Sequence, residues 1–290
     1  MRQIAVISLC ALGLAISACK PAEEGEPVLR TEIGKGEEEA AAIRAEDEAQ
    51  ERAALAATSV CVKAEFEDVP LTHCVADPSK HRIRTAFANA EGEPFGSLDS
   101  FSQTVDQANI AFVMNGGMIN RDRKPLGYYV ESGERTAELN REDGSGNFFL
   151  SPNGVFYGTG GAWEIRTADK FYATVGARPQ FGTQSGPMLV IDGELHPEFQ
   201  DNGPSRAIRN GVGIDSDGRA HFVISEAPIS FGQFARYFRD ELKTPNALYL
   251  DGKISSLWDP ATARLDTNGT LGPLIVVEKD RVDAPQEVSE

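Results

Sequence analysis

The sequence is poor in basic residues, with 28 lysines and arginines against 44 aspartates and glutamates, so its formal net charge at pH 7 is −16. Such an acidic chain repels a phosphate backbone, which excludes nucleic acid as a partner and leaves a polyanionic substrate only where local arginines meet it. The motifs GxSxG, HExxH and CxxC are all missing. Their absence removes the serine-hydrolase elbow, the two-histidine zinc site and the thiol redox pair from the candidate chemistries.

Histidine and cysteine are scarce as well. The histidines His73, His81, His196 and His221 are scattered along the sequence and indicate no common site. Cys61 and Cys74 bound the string "CVKAEFEDVPLTHC", whose length suits two strands of a hairpin joined by a disulfide across their open end. Two free buried thiols are the alternative.

The first residues have the pattern of a secretory signal: Arg2, an apolar stretch from Ile4 to Ile16, and small residues before Cys19. The string "ISAC" resembles the lipobox of bacterial lipoproteins, which implies cleavage after residue 18 and a diacylglyceryl group on Cys19. Lys20 after the cysteine favours, by analogy, the outer membrane. We therefore expect an exported protein, lipid-anchored in the bacterial cell envelope and facing the periplasm; no later stretch is apolar enough to span a bilayer.

Composition divides the remainder into three parts. Residues 19–57 are rich in Glu and Ala and contain no aromatic residue, so they predict a partly helical tether that cannot bury a core of its own. Residues 281–290 form an acidic tail. Residues 58–280 carry no internal linker or repeat and predict one folded domain.

Short β-rich runs separated by turn residues dominate this domain. Asn153-Gly154, Asp192-Gly193 and Asp217-Gly218 each lie between apolar pieces, as tight hairpins require. The runs "IAFVMN" and "ALYLDG" are continuously apolar, which is typical of strands covered on both faces.

Two segments predict helices, around residues 98–108 and in "SFGQFARYFRDEL", where Ser230 and Gln233 form a capping box. The apolar stripe from Phe231 to Phe238 is interpreted as core. Many hairpins and few helices predict an α+β fold with a large mixed or antiparallel sheet.

The candidate chemistry lies where buried strands end in polar residues and glycines. The strings that share this feature are "VMNGG" with Asn115, Gly116 and Gly117; "TQSGP" with Ser185 and Gly186; "SRAIRNGVGI" with Arg206 and Arg209; "VISE" with Glu226; and "LYLDG" with Asp251 and Gly252. Glycine at such a position lets a ligand approach the backbone closely.

The order "NGG … QSGP … RNGVG … LDG", over most of residues 112–254, resembles the bacterial phosphodiester glycosidase family, which is related to the mammalian uncovering enzyme. The strings "QSGPMLVIDG", "FARYFRDEL" and "ALYLDGKISSLW" are similar to an uncharacterised exported bacterial branch. The resemblance implies hydrolysis of a sugar-1-phosphodiester, and it matches Arg209 to a basic segment and Asp251-Gly252 to an Asp-Gly-Gly turn of the family.

A phosphate is a good leaving group, so this reaction needs mainly a carboxylate that activates water or attacks C1 and a cation that holds the phosphate. Asp251 is the first candidate for the carboxylate and Glu226 the second. Arg209 is the candidate for the phosphate because guanidinium binds two oxygens in one plane, with Arg206 in reserve. The other strand-end groups, Asn115, Gly116, Gly117, Ser185, Gly186 and Gly252, are assigned to substrate or phosphate binding.

Structural alternatives stay open for these residues. Asp251-Gly252 is also suited to a hairpin turn, Glu226 to a strand end in solvent, Arg209 to a surface ion pair and Asn115 to a turn cap. Ser185 has no adjacent base, which favours a hydrogen-bonding residue over a nucleophile.

Two functions remain open from the sequence. The first is an envelope-anchored hydrolase of sugar phosphodiesters. The second is a lipoprotein that binds a glycan or sugar phosphate without turnover, an alternative kept open because Lys253 stands where the family has another glycine. No cofactor is predicted; a divalent cation at the Asp and Asn strand ends is an open question, since no spacing demands one.

Overall fold

A computed structural model describes residues 35–280. The predicted signal segment, Cys19, the first part of the predicted tether and the acidic tail lie outside the described residues. In the part that the structure describes, no helix combines the length and apolarity needed to cross a membrane.

The first described element is a helix, α1 (Lys35–Ala56), in the Glu- and Ala-rich segment. Alanine and glutamate are strong helix formers, and the side chains of residues 40–55 are all exposed. The use of this segment as a tether stays a prediction.

The described residues from 50 onward form one compact unit. Besides α1, the helices are α2 (Leu98–Ser102), α3 (Ala168–Thr174) and α4 (Phe231–Arg236). The strands, numbered along the chain, are β1 Cys61–Phe66, β2 Val69–Ala76, β3 His81–Ala86, β4 Ile110–Asn115, β5 Tyr129–Glu131, β6 Glu134–Ala137, β7 Gly154–Thr159, β8 Ala162–Thr167, β9 Phe181–Ser185, β10 Met188–Ile191, β11 Glu194–Leu195, β12 Arg206–Ala207, β13 Asn210–Ile214, β14 Ala220–Ser225, β15 Ile229–Ser230, β16 Asn246–Tyr249, β17 Leu257–Asp259, β18 Arg264–Leu265 and β19 Leu274–Lys279.

The strands form antiparallel sheets. A seven-stranded sheet has the order β1-β2-β14-β13-β16-β10-β11, and two five-stranded sheets have the orders β18-β17-β4-β19-β3 and β6-β5-β9-β7-β8. Strands β12 and β15 pair separately. The predicted α+β class, with large antiparallel sheets and few helices, is confirmed.

One apolar core is shared by the three large sheets. Phe222 of β14 contacts Phe112 of β4 and Phe156 of β7, with ring centroids 5.2 and 5.8 Å apart. All three rings are fully buried. The continuous apolar runs of β4 and β16 follow from this packing, because both strands are covered on two faces, as predicted.

Helix α4 covers the other face of the seven-stranded sheet with Phe234, and the π-helical turn that follows it, Tyr237–Glu241, adds Phe238. The predicted cap of α4 is present, since the Ser230 hydroxyl accepts from the Gln233 amide. The reciprocal half of the capping box is not formed, because Gln233 Oε1 accepts from Arg206 at 3.3 Å and not from the Ser230 amide, while Gln233 Nε2 donates to Glu67 O.

One of the predicted hairpin turns is confirmed and another is wrong. Asp192 and Gly193 join β10 to β11 with positive φ angles of 49° and 89°, as a two-residue hairpin requires. The predicted hairpin at Asn153-Gly154 is wrong: Asn153 is buried and its side chain donates to Phe148 O, so this Asn-Gly leads into β7 from a short 3₁₀ turn.

The predicted disulfide is present between Cys61 and Cys74. These residues are the outermost registered pair of the β1–β2 hairpin. The bond therefore closes the open end of the hairpin.

Candidate active site

The glycine-bearing strand ends meet at one edge of the sheets. Backbone hydrogen bonds join them: Tyr249 N to Pro187 O, Leu250 N to Asn210 O and Asp251 N to Gly116 O, each 3.0 Å long. The end of β16 thus touches the strings "QSGP", "RNG" and "NGG" at once. Segments far apart in the sequence are brought to a common site.

The Asn115 side chain connects segments of this edge by hydrogen bonds. Its carboxamide nitrogen donates to Asp251 O at 2.8 Å, and its carboxamide oxygen accepts from Asn210 Nδ2 at 2.9 Å and from the Ser256 amide at 2.8 Å. The side chain is 1% exposed. These bonds indicate that Asn115 positions the backbone of Asp251 rather than binding a ligand.

Gly116 and Gly117 are also engaged within the protein. Their amides donate to Pro273 O at 2.7 Å and to Thr183 Oγ1 at 3.1 Å. A Cβ on Gly117 would lie 2.5 Å from Gln184 O, so this glycine serves close packing of one backbone on another. The structure gives neither amide a free direction toward a substrate.

Arg209 is a buried cation. Its side chain is 1% exposed, and its guanidinium donates to Ile229 O at 2.9 Å, to Ser205 O at 2.9 Å and to the Tyr249 hydroxyl at 3.4 Å. In the described part of the chain no carboxylate pairs with it, and burial lowers its pKa. The alternative of a surface ion pair is therefore not what the structure shows.

Aromatic rings support this guanidinium. Arg209 lies 3.5 Å above the Phe231 ring, Phe231 stacks on Phe199 at 4.9 Å, and Phe199 stacks on His196 at 4.7 Å. A cation over an aromatic face is attracted by the ring quadrupole. The interpretation of the stripe as core holds for Phe234 and Phe238, while Phe231 is half-buried and supports Arg209.

The Tyr249 hydroxyl connects Arg209 to the turn after β16. A Cβ on Gly252 would lie only 2.1 Å from this hydroxyl, so no other residue fits at position 252 without a shift. Burial raises the pKa of Tyr249, and the nearby charge of Asp251 adds to the increase. The Asp-Gly turn is thus packed on the tyrosine that contacts the arginine.

Asp251 is the half-buried carboxylate of this edge. Burial raises its pKa to about 6, while the Lys253 amide and the Lys253 charge act in the opposite direction. A carboxyl that changes protonation near neutral pH is suited to acid–base work. The turn that carries it is a 3₁₀ turn between strands of different sheets, not a hairpin.

Ser185 ends β9, immediately before the Gly186-Pro187 segment that contacts Tyr249. It is fully buried, and its hydroxyl has no hydrogen-bond partner in the described residues. A buried unpaired hydroxyl costs stability, which makes Ser185 a candidate for bonding a ligand. Gly186 packs on Asn153, where a Cβ would lie 2.6 Å from the Asn153 Cβ.

The side chains of Glu226 and Arg206 bond to partners outside this group. Glu226 is exposed and pairs with Arg264, and its Oε1 also accepts from Thr72. Arg206 is exposed and donates to Gln233 Oε1 at 3.3 Å. No hydrogen bond among the described residues joins either side chain to Asp251 or Arg209.

Sequence reasoning missed three residues of the site: Asn210, Tyr249 and Ser255. Ser255 Oγ lies 3.2 Å from both Asn210 Oδ1 and Gly252 O. Asn210 and Tyr249 stand inside the strings "RNGVG" and "LYLDG", one residue after Arg209 and two before Asp251. The sequence signal for Asn210 and Tyr249 was their position beside Arg209 and Asp251, because residues next to a strand end share its surroundings.

Two histidines that the sequence separates are adjacent in the structure. His73 Nε2 and His221 Nδ1 lie 2.9 Å apart, and His221 Nε2 lies 3.0 Å from Asp215 Oδ2. Within the described residues no group of three or more His, Cys, Asp or Glu side chains is arranged to hold a metal ion.

Comparisons with known proteins indicate the family of the chain. A sequence model of the family described as phosphodiester glycosidase matches residues 108–269. The uncharacterized protein YigE of Escherichia coli (strain K12) is 38% identical over 183 residues, which are 63% of this chain and 71% of that protein.

Solved structures match this chain at low identity, and for the first of them the TM-score supports a shared fold. The catalytic domain of zebrafish N-acetylglucosamine-1-phosphodiester alpha-N-acetylglucosaminidase, auto-inhibited by its pro-peptide, matches with a TM-score of 0.51 and 12% identity over 75% of this chain and 81% of that chain. A hypothetical protein from Synechocystis matches with a TM-score of 0.48 and 16% identity over 76% and 61% of the two chains.

Proposed function

This chain belongs to the phosphodiester glycosidase family, and from that premise we propose that it hydrolyses a sugar-1-phosphodiester at the edge formed by Asp251, Tyr249 and Arg209. The family itself supports a hydrolase. The zebrafish relative acts, by its name, on an N-acetylglucosamine-1-phosphodiester, which supports a substrate with a phosphodiester at the sugar C1.

The observation that carries the proposal is the state of Arg209. A buried cation without a carboxylate partner is costly, and such groups are normally paired or bind an anion. The guanidinium is held by carbonyls and an aromatic ring, none of which neutralises its charge. A phosphate would supply the missing negative charge and accept hydrogen bonds from the planar guanidinium.

In the proposed reaction, a water oxygen forms a bond to C1 while the bond from C1 to the phosphate oxygen breaks. The electron pair of the broken bond leaves with the phosphate monoester, whose charge Arg209 stabilises. Asp251 accepts the proton of the attacking water, for which its pKa of about 6 is suited. Tyr249 lies between the two groups and donates a hydrogen bond to the departing phosphate.

We extend the proposal to location. The signal-like start of the sequence and the cysteine after "ISA" support export and a lipid anchor at Cys19, in the outer membrane facing the periplasm. The Cys61–Cys74 bond fits this location, because disulfides persist outside the cytosol.

The test is to incubate the purified chain with an aryl phosphodiester of a sugar C1, in ¹⁸O-water, with and without a chelator. Attack of water at C1 yields free sugar and an aryl phosphate that carries no label. Attack at phosphorus would put the label into the phosphate product, whether the aryl alcohol or the sugar leaves, and would contradict the proposal. The chelator arm reports whether a divalent cation takes part.

Substitution of Asp251 by Asn separates the two carboxylate candidates. Asp251→Asn keeps the shape of the side chain but cannot take a proton, so we expect kcat/KM to fall about 10³-fold. Glu226→Gln is the matched control and should stay within about twofold of the unsubstituted chain, since an exposed ion pair contributes little. Unchanged unfolding temperatures show that both variants remain folded.

Tight binding of sugar phosphodiesters without turnover would favour the alternative, a glycan- or sugar-phosphate-binding lipoprotein. The observation that supports this alternative is Lys253, whose charge and amide lie close to Asp251 and lower its basicity. Lys253→Gly tests it: a gain of turnover in that variant would indicate that Lys253 suppresses catalysis.

A further inference from the structure

A second concave site lies at the edge of the sheet β6-β5-β9-β7-β8. It is a cavity of about 590 Å³, the size of a small-ligand pocket, between β6, helix α3 and the chain after that helix. Its lining combines cations with aromatic rings: Arg135, Arg141, Arg178, Tyr128, Phe171 and Tyr172. None of these residues belongs to the candidate active site.

Arginines are concentrated at this cavity, in a protein whose formal net charge is −16. Each of the three has a carboxylate partner: Arg135 pairs with Glu138 at 2.9 Å, Arg141 with Asp169 at 3.1 Å and Arg178 with Glu134 at 3.9 Å. All six side chains are at least 40% exposed. Such exposed ion pairs are weak and exchangeable, so the guanidiniums are available to an incoming anion.

Aromatic rings lie beside these cations. Tyr172 is 68% exposed, which is unusual for a large ring, and the Arg141 guanidinium lies 4.5 Å above it. Tyr128 lines the same cavity as Arg135 and Arg178. The cavity therefore offers an apolar ring surface and two or three guanidiniums to one ligand.

We propose that this cavity binds an anionic saccharide. Its acid group is held by Arg135 and Arg178, which match a carboxylate or phosphate in a plane, and its ring packs on Tyr172. A saccharide is favoured over an acidic peptide because the chain belongs to a glycosidase family and an exposed tyrosine is suited to the apolar face of a sugar ring. The site is independent of the proposed hydrolysis.

The experiment titrates the purified full chain calorimetrically with a galacturonate oligomer, with its methyl ester, with a glutamate peptide of equal charge and with inorganic phosphate. The free-acid oligomer should bind at least about tenfold more tightly than its ester, because esterification removes only the charge. It should also bind at least about fivefold more tightly than the peptide or the phosphate, since neither presents a sugar ring.

Variants locate the binding. Arg135→Gln with Arg178→Gln should weaken binding at least about tenfold, and Tyr172→Ala about fivefold. The matched control is Arg82→Gln, an exposed arginine whose ion pair with Asp280 lies outside this cavity, and it should leave binding unchanged. Equal binding of acid and ester, equal binding of the peptide, or equal losses in the control would overturn the proposal.

Discussion

Arg209 and Arg264 both lie close to strand ends of the same molecule, but their surroundings differ in the balance of charge. Arg264 contacts two carboxylates, Glu226 and Asp266, and its side chain is 24% exposed. Arg209 is 1% exposed and has carbonyls, a tyrosine hydroxyl and an aromatic face around it. The first arginine is neutralised by carboxylates of the fold, whereas the second has no carboxylate partner among the described residues.

This contrast also separates the two candidate carboxylates. Glu226 is held by the compensated arginine, so its strand end is a surface ion pair. Asp251 has no such partner among the described residues, and burial raises its pKa to about 6. Groups left unbalanced by the fold are the ones most suited to chemistry.

Within this comparison of the two arginines, the largest expected effect comes from removing the charge of each in turn. Arg209→Gln should lower kcat/KM on a sugar phosphodiester at least about 100-fold, because the leaving phosphate loses its cation. Arg264→Gln should change it less than about threefold. Inorganic phosphate should raise the unfolding temperature of the unsubstituted chain and of Arg264→Gln but not of Arg209→Gln.

The control for the two arginine variants is a measurement of whether they remain folded. Arg209→Gln leaves buried carbonyls such as Ile229 O without a donor, so some destabilisation accompanies it. Circular dichroism and the unfolding temperature must show a folded variant at the assay temperature. Phosphate stabilisation that survives in folded Arg209→Gln would show that this arginine is not the anion site.

The pH dependence of hydrolysis tests Asp251 next. A base must be deprotonated, so with a pKa of about 6 its active fraction falls roughly tenfold per pH unit below that value. We expect kcat/KM at pH 4.5 to be about 30-fold lower than at pH 8, measured with an initial-rate profile. A profile that instead rises below pH 6 would make Asp251 the proton donor.

Features of the fold that depend on the local sequence were predictable, whereas those that depend on tertiary contacts were not. Apolar runs and the Asp192-Gly193 turn are local signals, so the strands around them were predicted correctly. Asn153-Gly154 carries the same local signal, but a buried hydrogen bond to Phe148 overrides it. Local preference is a weak prior wherever a tertiary contact competes with it.

The site was predictable as a set of strand ends but not as a set of roles. Sequence order indicates that Asn115 and Asp251 both follow buried runs, yet only the structure shows the carboxamide of one bonded to the carbonyl of the other. Glu226 likewise meets Arg264 across 38 residues of chain. Roles depend on long-range partners, which no single-sequence pattern reports.

His73 is a buried basic residue that differs from Arg209 and Arg264, because it can avoid a buried charge by losing its proton. Burial, with a smaller effect of the His221 charge, lowers its pKa from 6.5 to about 4. Its folded form therefore resists protonation. Its contribution to stability is complete above pH 6.5 and is lost as the pH falls toward 4.

The loss should amount to about 2 kcal/mol between pH 7 and pH 4.5. Denaturant unfolding at both pH values measures it. His73→Gln should show a smaller decrease than the unsubstituted chain over the same range. An equal decrease in the variant would mean that other groups carry the acid sensitivity.

The smallest expected effect concerns the Phe231 ring, which supports the Arg209 guanidinium. Phe231→Leu removes the ring 3.5 Å beneath the Arg209 guanidinium, so we expect kcat/KM to fall about fivefold to tenfold and phosphate to stabilise the variant less. Phe234→Leu is the matched control, because Phe234 lies on the same helix but is fully buried in the core. It should lower the unfolding temperature while leaving kcat/KM unchanged. Equal effects of the two substitutions on kcat/KM would show that Phe231 acts through general packing. The Arg209 guanidinium would then be held in place by its hydrogen bonds.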